Sequence, residues 1–308
     1  MNSKLIALAA LAVASCFSAP AEAACAPGDI TGISFAPSAT LSPYNPFASF
    51  SPKLVTVTVS ASVSCTVELA FFSPTLPARM TGPAQLNYDV GLTGGAASLV
   101  FAGGSPPVTV PIVIPGPGNP GTTTVQIDLP AGQVVADGAY GDASLTAQVF
   151  DRTGSIFTLL QSRSMPVTGS VAKVCEFTAP TSPTLNFTSA IANGLPNSSY
   201  QHSVTFDGVS CTAPTLVRLS GAALQLQPAT SAPGFDNFID YRASASFNAA
   251  SAVLDTRMAS EASSAATNTM AGATVNGSIR VDVNLLVGNP LLAGTYAAIL
   301  TVSVDPNP

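Results

Sequence analysis

Four cysteines divide this chain into two halves that repeat one another. Cys25 and Cys65 stand 40 residues apart, Cys175 and Cys211 stand 36 apart, and the second pair follows the first by 150 and 146 residues. The second cysteine of each pair closes an alternating run. In the first half Val55, Val57, Val59, Ala61, Val63 and Cys65 alternate with Thr56, Thr58, Ser60, Ser62 and Ser64. Strict alternation puts one set on a core face and the other in solvent, the mark of a half-buried β-strand. In the second half Val204 and Phe206 lead to Val209 and Cys211, and Asp207-Gly208 breaks the phase as a bulge does.

The repeat continues. Each half carries a later alternating strand, Val125, Ile127, Leu129 and Ile279, Val281, Val283, Leu285. A Gly-x-Tyr follows each, Gly138-Ala139-Tyr140 and Gly294-Thr295-Tyr296, and then a final strand; in the second half Tyr296, Ala298, Leu300, Val302 and Val304 share one face. A period this long indicates a tandem domain duplication, not a solenoid. The expected fold is all-β, as two tandem β-sandwiches over 24–170 and 171–308. Composition agrees: 47% hydrophobic and only 8% charged, with 26 Pro and 24 Gly punctuating short Val/Thr runs. A net charge of −6 gives no basic footprint for nucleic acid.

Residues 1–23 read as an export signal: Lys4, the apolar run Leu5 to Val13, and Ala21-Glu22-Ala23 as cleavage site. That run is too short to cross a bilayer as a helix. Val13-Ala14-Ser15-Cys16 offers a competing lipoprotein reading with Cys16 acylated. If Cys16 leaves with the signal, four cysteines remain and allow three pairings. The repeated spacing favours the local one, Cys25–Cys65 and Cys175–Cys211, in an oxidising compartment.

The halves differ after their last strands. In the first, Asp151-Arg152-Thr153-Gly154 suits a hairpin turn, and Ile156 to Val167 then returns as one more strand, with Ile156, Phe157, Leu159 and Leu160 assigned to the core. In the second, the sequence runs only to Pro306-Asn307-Pro308 after Asp305. The first sandwich is expected to close itself, and the second to lack an edge strand and so invite strand addition from another chain.

Several stretches resemble the spore coat protein U domain, which is also the subunit domain of archaic (Csu-type) chaperone–usher pili. They are Tyr44-Asn45-Pro46, Arg79-Met80 with Leu86-Asn87-Tyr88, and Pro130-Ala131-Gly132-Gln133 leading to Gly138-Ala139-Tyr140. In the second half they are Cys175, Leu185-Asn186-Phe187, Cys211 and Leu292-Ala293-Gly294-Thr295-Tyr296. The resemblance implies immunoglobulin-like sandwiches, the second incomplete. It implies a periplasmic pilus chaperone and then an adjacent pilin subunit lending the missing strand, with an outer-membrane usher assembling the fibre. Such subunits donate a strand placed ahead of the first cysteine, and only Ala24 would precede Cys25 here after cleavage. A chain that accepts a strand without donating one is expected at the pilus tip on the cell surface, its first domain binding an abiotic surface or host receptor.

Three segments place apolar residues where loops are expected, and contiguous exposed apolar surface marks interaction sites. They give Tyr44, Phe47 and Phe50; Leu99, Val100 and Phe101; and Ile112, Val113 and Ile114 as surface-binding candidates. The bland alternative is a structural turn at Tyr44 and buried strands at the other two. No enzyme is expected. His202 is the only histidine, beside Val204 on a strand, and reads as a strand-edge residue, not as part of a Ser-His-Asp site. The singly spaced cysteines do not form a zinc site, and Asp236, Asp240 and Asp255 show no marked spacing. No cofactor motif is present. The alternatives are a structural coat-like or shaft pilin protein and a secreted carbohydrate-binding module; the absence of Trp argues against the latter.

Overall fold

The computed structural model describes residues 24–95, 97–178, 182–263 and 273–307. The export segment, with Cys16, lies outside them. The first half contains β1 (Ile30–Ala36), β2 (Lys53–Ala61), β3 (Cys65–Phe72), β4 (Ala78–Thr81), β5 (Gln85–Leu92), β6 (Val100–Phe101), β7 (Val110–Ile114), β8 (Gly121–Asp128), β9 (Gly138–Asp142), β10 (Thr146–Thr153), β11 (Ile156–Ser164) and β12 (Val167–Val171). The second contains β13 (Cys175–Phe177), β14 (Ile191–Ala192), β15 (Leu195–Pro196), β16 (Gln201–Cys211), β17 (Thr215–Gly221), β18 (Leu224–Gln227), β19 (Phe238–Ile239), β20 (Tyr241–Phe247), β21 (Ala250–Asp255), β22 (Glu261–Ser263), β23 (Thr274–Leu285), β24 (Thr295–Ala297) and β25 (Leu300–Pro306).

The sheets have immunoglobulin order. One first-half sheet begins β1-β2-β8-β5, and the facing sheet runs β11-β10-β3. These are the A-B-E-D and G-F-C arrangements of that sandwich. In the second half β13-β16-β23-β20 repeats A-B-E-D, and β17-β25 repeats C-F. Each half packs its own apolar core. The first is built on alternating residues such as Val55, Val57 and Val59, fully buried on β2, and extends to Val171. The second is built on Ile279, Val281, Val283 and Leu285 of β23, and on Phe247. Both local disulfides are present, Cys25–Cys65 and Cys175–Cys211. The bulge at Asp207-Gly208 is present too: the β16–β23 register shifts between Phe206 and Val209, and Gly208 takes φ +82°.

The two Gly-x-Tyr motifs are tyrosine corners. The Tyr140 hydroxyl donates to the Ala136 carbonyl at 2.6 Å, four residues upstream. The Tyr296 hydroxyl lies 3.0 Å from the Leu292 carbonyl, again four upstream, and 3.0 Å from that of Asp236. Each ties the loop ahead of the short strand that carries the tyrosine, β9 or β24, to that strand. Tyr140→Phe or Tyr296→Phe therefore loses about 1 kcal/mol, the usual worth of such a bond. Urea unfolding followed by fluorescence measures it, and an unchanged midpoint would show that the corner is only packing.

The family-like motifs of the first half meet in space. Tyr44 is fully buried; its hydroxyl donates to the Pro130 carbonyl at 2.9 Å and accepts from the Gln133 amide at 3.0 Å. The Gln133 side chain reaches the backbone of Asn87 in both directions, at 2.9 Å each. The Tyr44 amide also donates to the Ser170 carbonyl at 2.8 Å, against β12. Asn45 turns the chain locally, its Oδ1 accepting from the Phe47 amide at 3.0 Å.

The return strand differs from expectation. The hairpin loop is Gly154-Ser155, because Thr153 pairs with Ile156 and Gly154 takes φ +63°. The segment then breaks at Met165-Pro166 into two strands, β11 on β10 and β12 on β9, in different sheets. Proline cannot donate to a ladder, so the break falls there. As the edge of its sheet, β11 exposes Ile156 and Leu159 instead of burying them, while Leu160 packs on the core.

Candidate functional site

The difference between the halves lies at the G position. In the first sandwich β11 pairs along the whole of β10, from Thr146↔Ser164 to Thr153↔Ile156. In the second, β25 pairs with β17 from Leu300 to Pro306, and among the described residues no strand pairs with its other edge. The A strand is shortened as well. β1 pairs with β2 from Ile30↔Ala61 to Ala36↔Thr56, but β13 pairs with β16 only at Cys175, Glu176 and Phe177. Among the described residues, the stretch Gln201–Phe206 of β16 thus pairs only on its β23 side.

Between these free edges runs an open groove of about 620 Å³. Its floor is Val281 and Val283 of β23. Its walls are Val204 and Phe206 of β16, Leu300 and Val302 of β25, Phe177 of β13, and Leu185 and Phe187 ahead of β14. Among the described residues no charged side chain lines it. Val204, Phe206, Leu300 and Val302 are only partly buried, although they occupy the inward positions of alternating strands. Ile299, in the gap between β24 and β25, is 83% exposed. Apolar walls flanked by unpaired backbone N–H and C=O groups are what an extended segment of polypeptide satisfies. Tyr241 enters from β20. Its hydroxyl is buried and has no hydrogen-bond partner among the described residues, and burial raises its pKa.

The surface-binding candidates of the first half fare differently. Tyr44, Leu99, Val100, Phe101, Ile112 and Ile114 are buried and are not surface groups. Ile112 and Ile114 take the inward positions of alternating β7, leaving Val113 56% exposed on the other face. Leu99 is fixed by its amide to the Val90 carbonyl at 2.8 Å, and β6 aligns Phe101 with Phe72. Phe47 and Phe50 are half-buried, Phe50 packing edge-on to Tyr44 at 6.1 Å.

Phe101 belongs to a second apolar cluster that the sequence did not reveal, on the outer face of the C-F-G sheet. The Phe72, Phe101, Phe150 and Phe157 rings follow one another at 5.7, 6.2 and 6.0 Å. Arg152 stacks on Phe157 at 5.4 Å and pairs with Glu68 at 4.0 Å. Residues 72, 101, 150 and 157 belong to four strands, so no single periodicity could announce the cluster.

His202 stands on β16 with its ring 5.7 Å from that of Phe187. Each carboxylate considered by sequence has a local partner. Asp236 accepts from Asn289 at 3.0 Å, Asp240 from Thr256 at 2.8 Å, and Asp255 from the Arg257 amide at 3.1 Å.

The chain is thus a double immunoglobulin-type sandwich, and among its described residues no strand fills the G position of the second unit. No family model matches the chain, and no curated protein matches it. Among solved structures it is similar to the chaperone–tip adhesion subunit pre-assembly complex of archaic chaperone–usher Csu pili from Acinetobacter baumannii. The identity is 17% and the TM-score 0.38, over 89% of this chain and 100% of that one. It is also similar to CfaE, the adhesive subunit of CFA/I fimbria of enterotoxigenic Escherichia coli, at 11% identity and TM-score 0.32, over 87% and 92%. A third is the CupB6 tip adhesin from Pseudomonas aeruginosa, at 12% and 0.26, over 90% and 95%. At TM-scores below 0.5 these likenesses leave function to be argued from the chain itself.

Proposed function

We propose that this chain is the adhesive tip subunit of a chaperone–usher pilus, joined to its fibre by a strand donated in trans. The observation that carries the reading is the unfilled G position: an uncharged apolar groove between the free edges of β16 and β25. The equivalent place in the first sandwich is filled by β11. A periplasmic chaperone would fill it first and an adjacent pilin subunit later, in keeping with the motifs that resemble archaic pilus subunits. The usher would then export the chain to the cell surface. Ala172–Val174 links the end of β12 to the start of β13. The first unit, closed by its own strand, is the one free to bind an abiotic surface or a host receptor. Its exposed apolar side chains on the outer C-F-G face, Val113 and Leu159, support contact there beside the phenylalanine cluster.

A photo-crosslinking amino acid at Val302, in the groove, tests this in cells that make the protein, with Val253 on the outer face of β21 as control. The groove position should crosslink to an alternating apolar segment of another chain, identified by mass spectrometry, and position 253 should not. Immunogold against the first sandwich should then mark fibre ends. A groove position that captures no extended segment, or labelling along the fibre length, overturns the assignment.

A further inference from the structure

The orphaned hydroxyl of Tyr241 has a satisfied counterpart in the first sandwich. Tyr241 opens β20 and pairs with Leu285 of the E strand. In the first sandwich the D–E ladder ends at Asp89↔Asp128. One step further along stand Tyr88 and Leu129. Leu129 and Leu285 lie equally far ahead of their corner tyrosines (129 to 140, and 285 to 296). Tyr88 and Tyr241 are thus equivalent positions. The Tyr88 hydroxyl donates to Asp142 Oδ2 at 2.5 Å, and Asp142 Oδ1 accepts from the Ser144 amide at 2.7 Å and hydroxyl at 2.6 Å.

Asp142 stands two residues after Tyr140. The residue two after Tyr296 is Ala298, which lines the groove and has nothing to offer a hydroxyl. The repeat has kept the tyrosine and lost its acceptor. The Tyr241 hydroxyl instead lies against Gly221, where a side chain would also meet the Ile299 carbonyl and the Leu300 side chain, and Tyr241, Ile299 and Leu300 all line the groove. A Cβ at position 221 would collide with it, so Gly221 leaves room for the phenol. A buried polar group without a partner is costly, and most such groups in folded proteins are satisfied.

We propose that the segment filling this groove carries a neutral hydrogen-bonding side chain, a hydroxyl or an amide, at the one inward position that reaches Tyr241. It replaces in trans the partner that Asp142 supplies to Tyr88 within the first sandwich. A neutral group fits better than a carboxylate, because the position equivalent to Ser144, four after the corner tyrosine, is Leu300, and no positive charge lines the groove among the described residues. The occupant is therefore an alternating apolar strand with one polar exception, and the exception sets its register. This inference rests on the strand-accepting reading of the groove.

The test uses the full chain and synthetic peptides about ten residues long that alternate Val with Ser or Lys. Each Val in turn is replaced by Thr, which has the same shape and adds a hydroxyl. Binding is read by calorimetry to the wild type, to Tyr241→Phe, and to Ala298→Asp, which restores an acceptor where the first sandwich has one. Thr should match or exceed Val at one position in the wild type and weaken binding about tenfold at the others. Both variants should lose that exception while still binding the all-Val peptide. Val preferred at every position in all three proteins would overturn the inference and leave the strand-accepting reading standing. Failure of every peptide to bind the wild type would overturn both.

Discussion

A strand of about ten alternating apolar residues, tethered behind Asn307 by a flexible linker, raises the melting temperature of the second sandwich by about 15 °C and leaves the first unchanged. The groove volume suits about four inward side chains, and burying each contributes roughly 2 kcal/mol. That sum corresponds to a dissociation constant near micromolar. A short flexible tether presents the strand at an effective concentration of about a millimolar, and a thousandfold excess over the dissociation constant stabilises the complex by about 4 kcal/mol. For a domain of this size each kcal/mol shifts melting by about 4 °C. Differential scanning calorimetry resolves the two transitions. The control tether carries Ser at the inward positions, keeping length and backbone and removing the apolar side chains. If both tethers shift melting equally, the groove does not read side chains. If neither does, the free edges of β16 and β25 are not a strand site.

Much of this architecture was legible because the period of a strand is written in adjacent residues. From Val55 to Ala61 the run needs no partner to announce its core face, and β2 buries every second residue as that alternation requires; beyond it the expected strand breaks, leaving Val63 37% exposed and Cys65 opening β3. The cysteine spacing fixed the repeat, and the repeat pointed to the G position, where the described residues of the two halves differ. What failed to show was which face a short apolar stretch would take once neighbours arrived. Ile112, Val113 and Ile114 look alike in sequence; only pairing with β3 sends two inward and one outward. Tyr44 carries no sign of burial, because its partners at Pro130 and Gln133 are nearly ninety residues away. The exposure of Ile156 and Leu159 follows from edge position, a property of the sheet and not of the segment. The groove could be foreseen as a vacancy, but its polar notch could not. Recognising Tyr241 as an orphan required the D–E register that makes it the equivalent of Tyr88.

That equivalence makes the same substitution act oppositely in the two halves. Tyr88→Phe removes the phenol that donates to Asp142, a carboxylate only 8% exposed. Hydrogen bonds to charged groups are worth about 1.5–3 kcal/mol, and a buried acceptor left short of a donor adds its own desolvation cost. The first sandwich should therefore lose about 3 kcal/mol, with a melting transition about 10 °C lower. Tyr241→Phe removes a hydroxyl that has no hydrogen-bond partner among the described residues. It frees the second sandwich of a buried polar group at almost constant shape, so that sandwich should melt at the same temperature or slightly higher. Calorimetry on the full chain reads both transitions in one scan. Equal losses at the two positions would mean that the Tyr241 hydroxyl has a partner in the folded chain, and the notch would then be filled without an incoming strand.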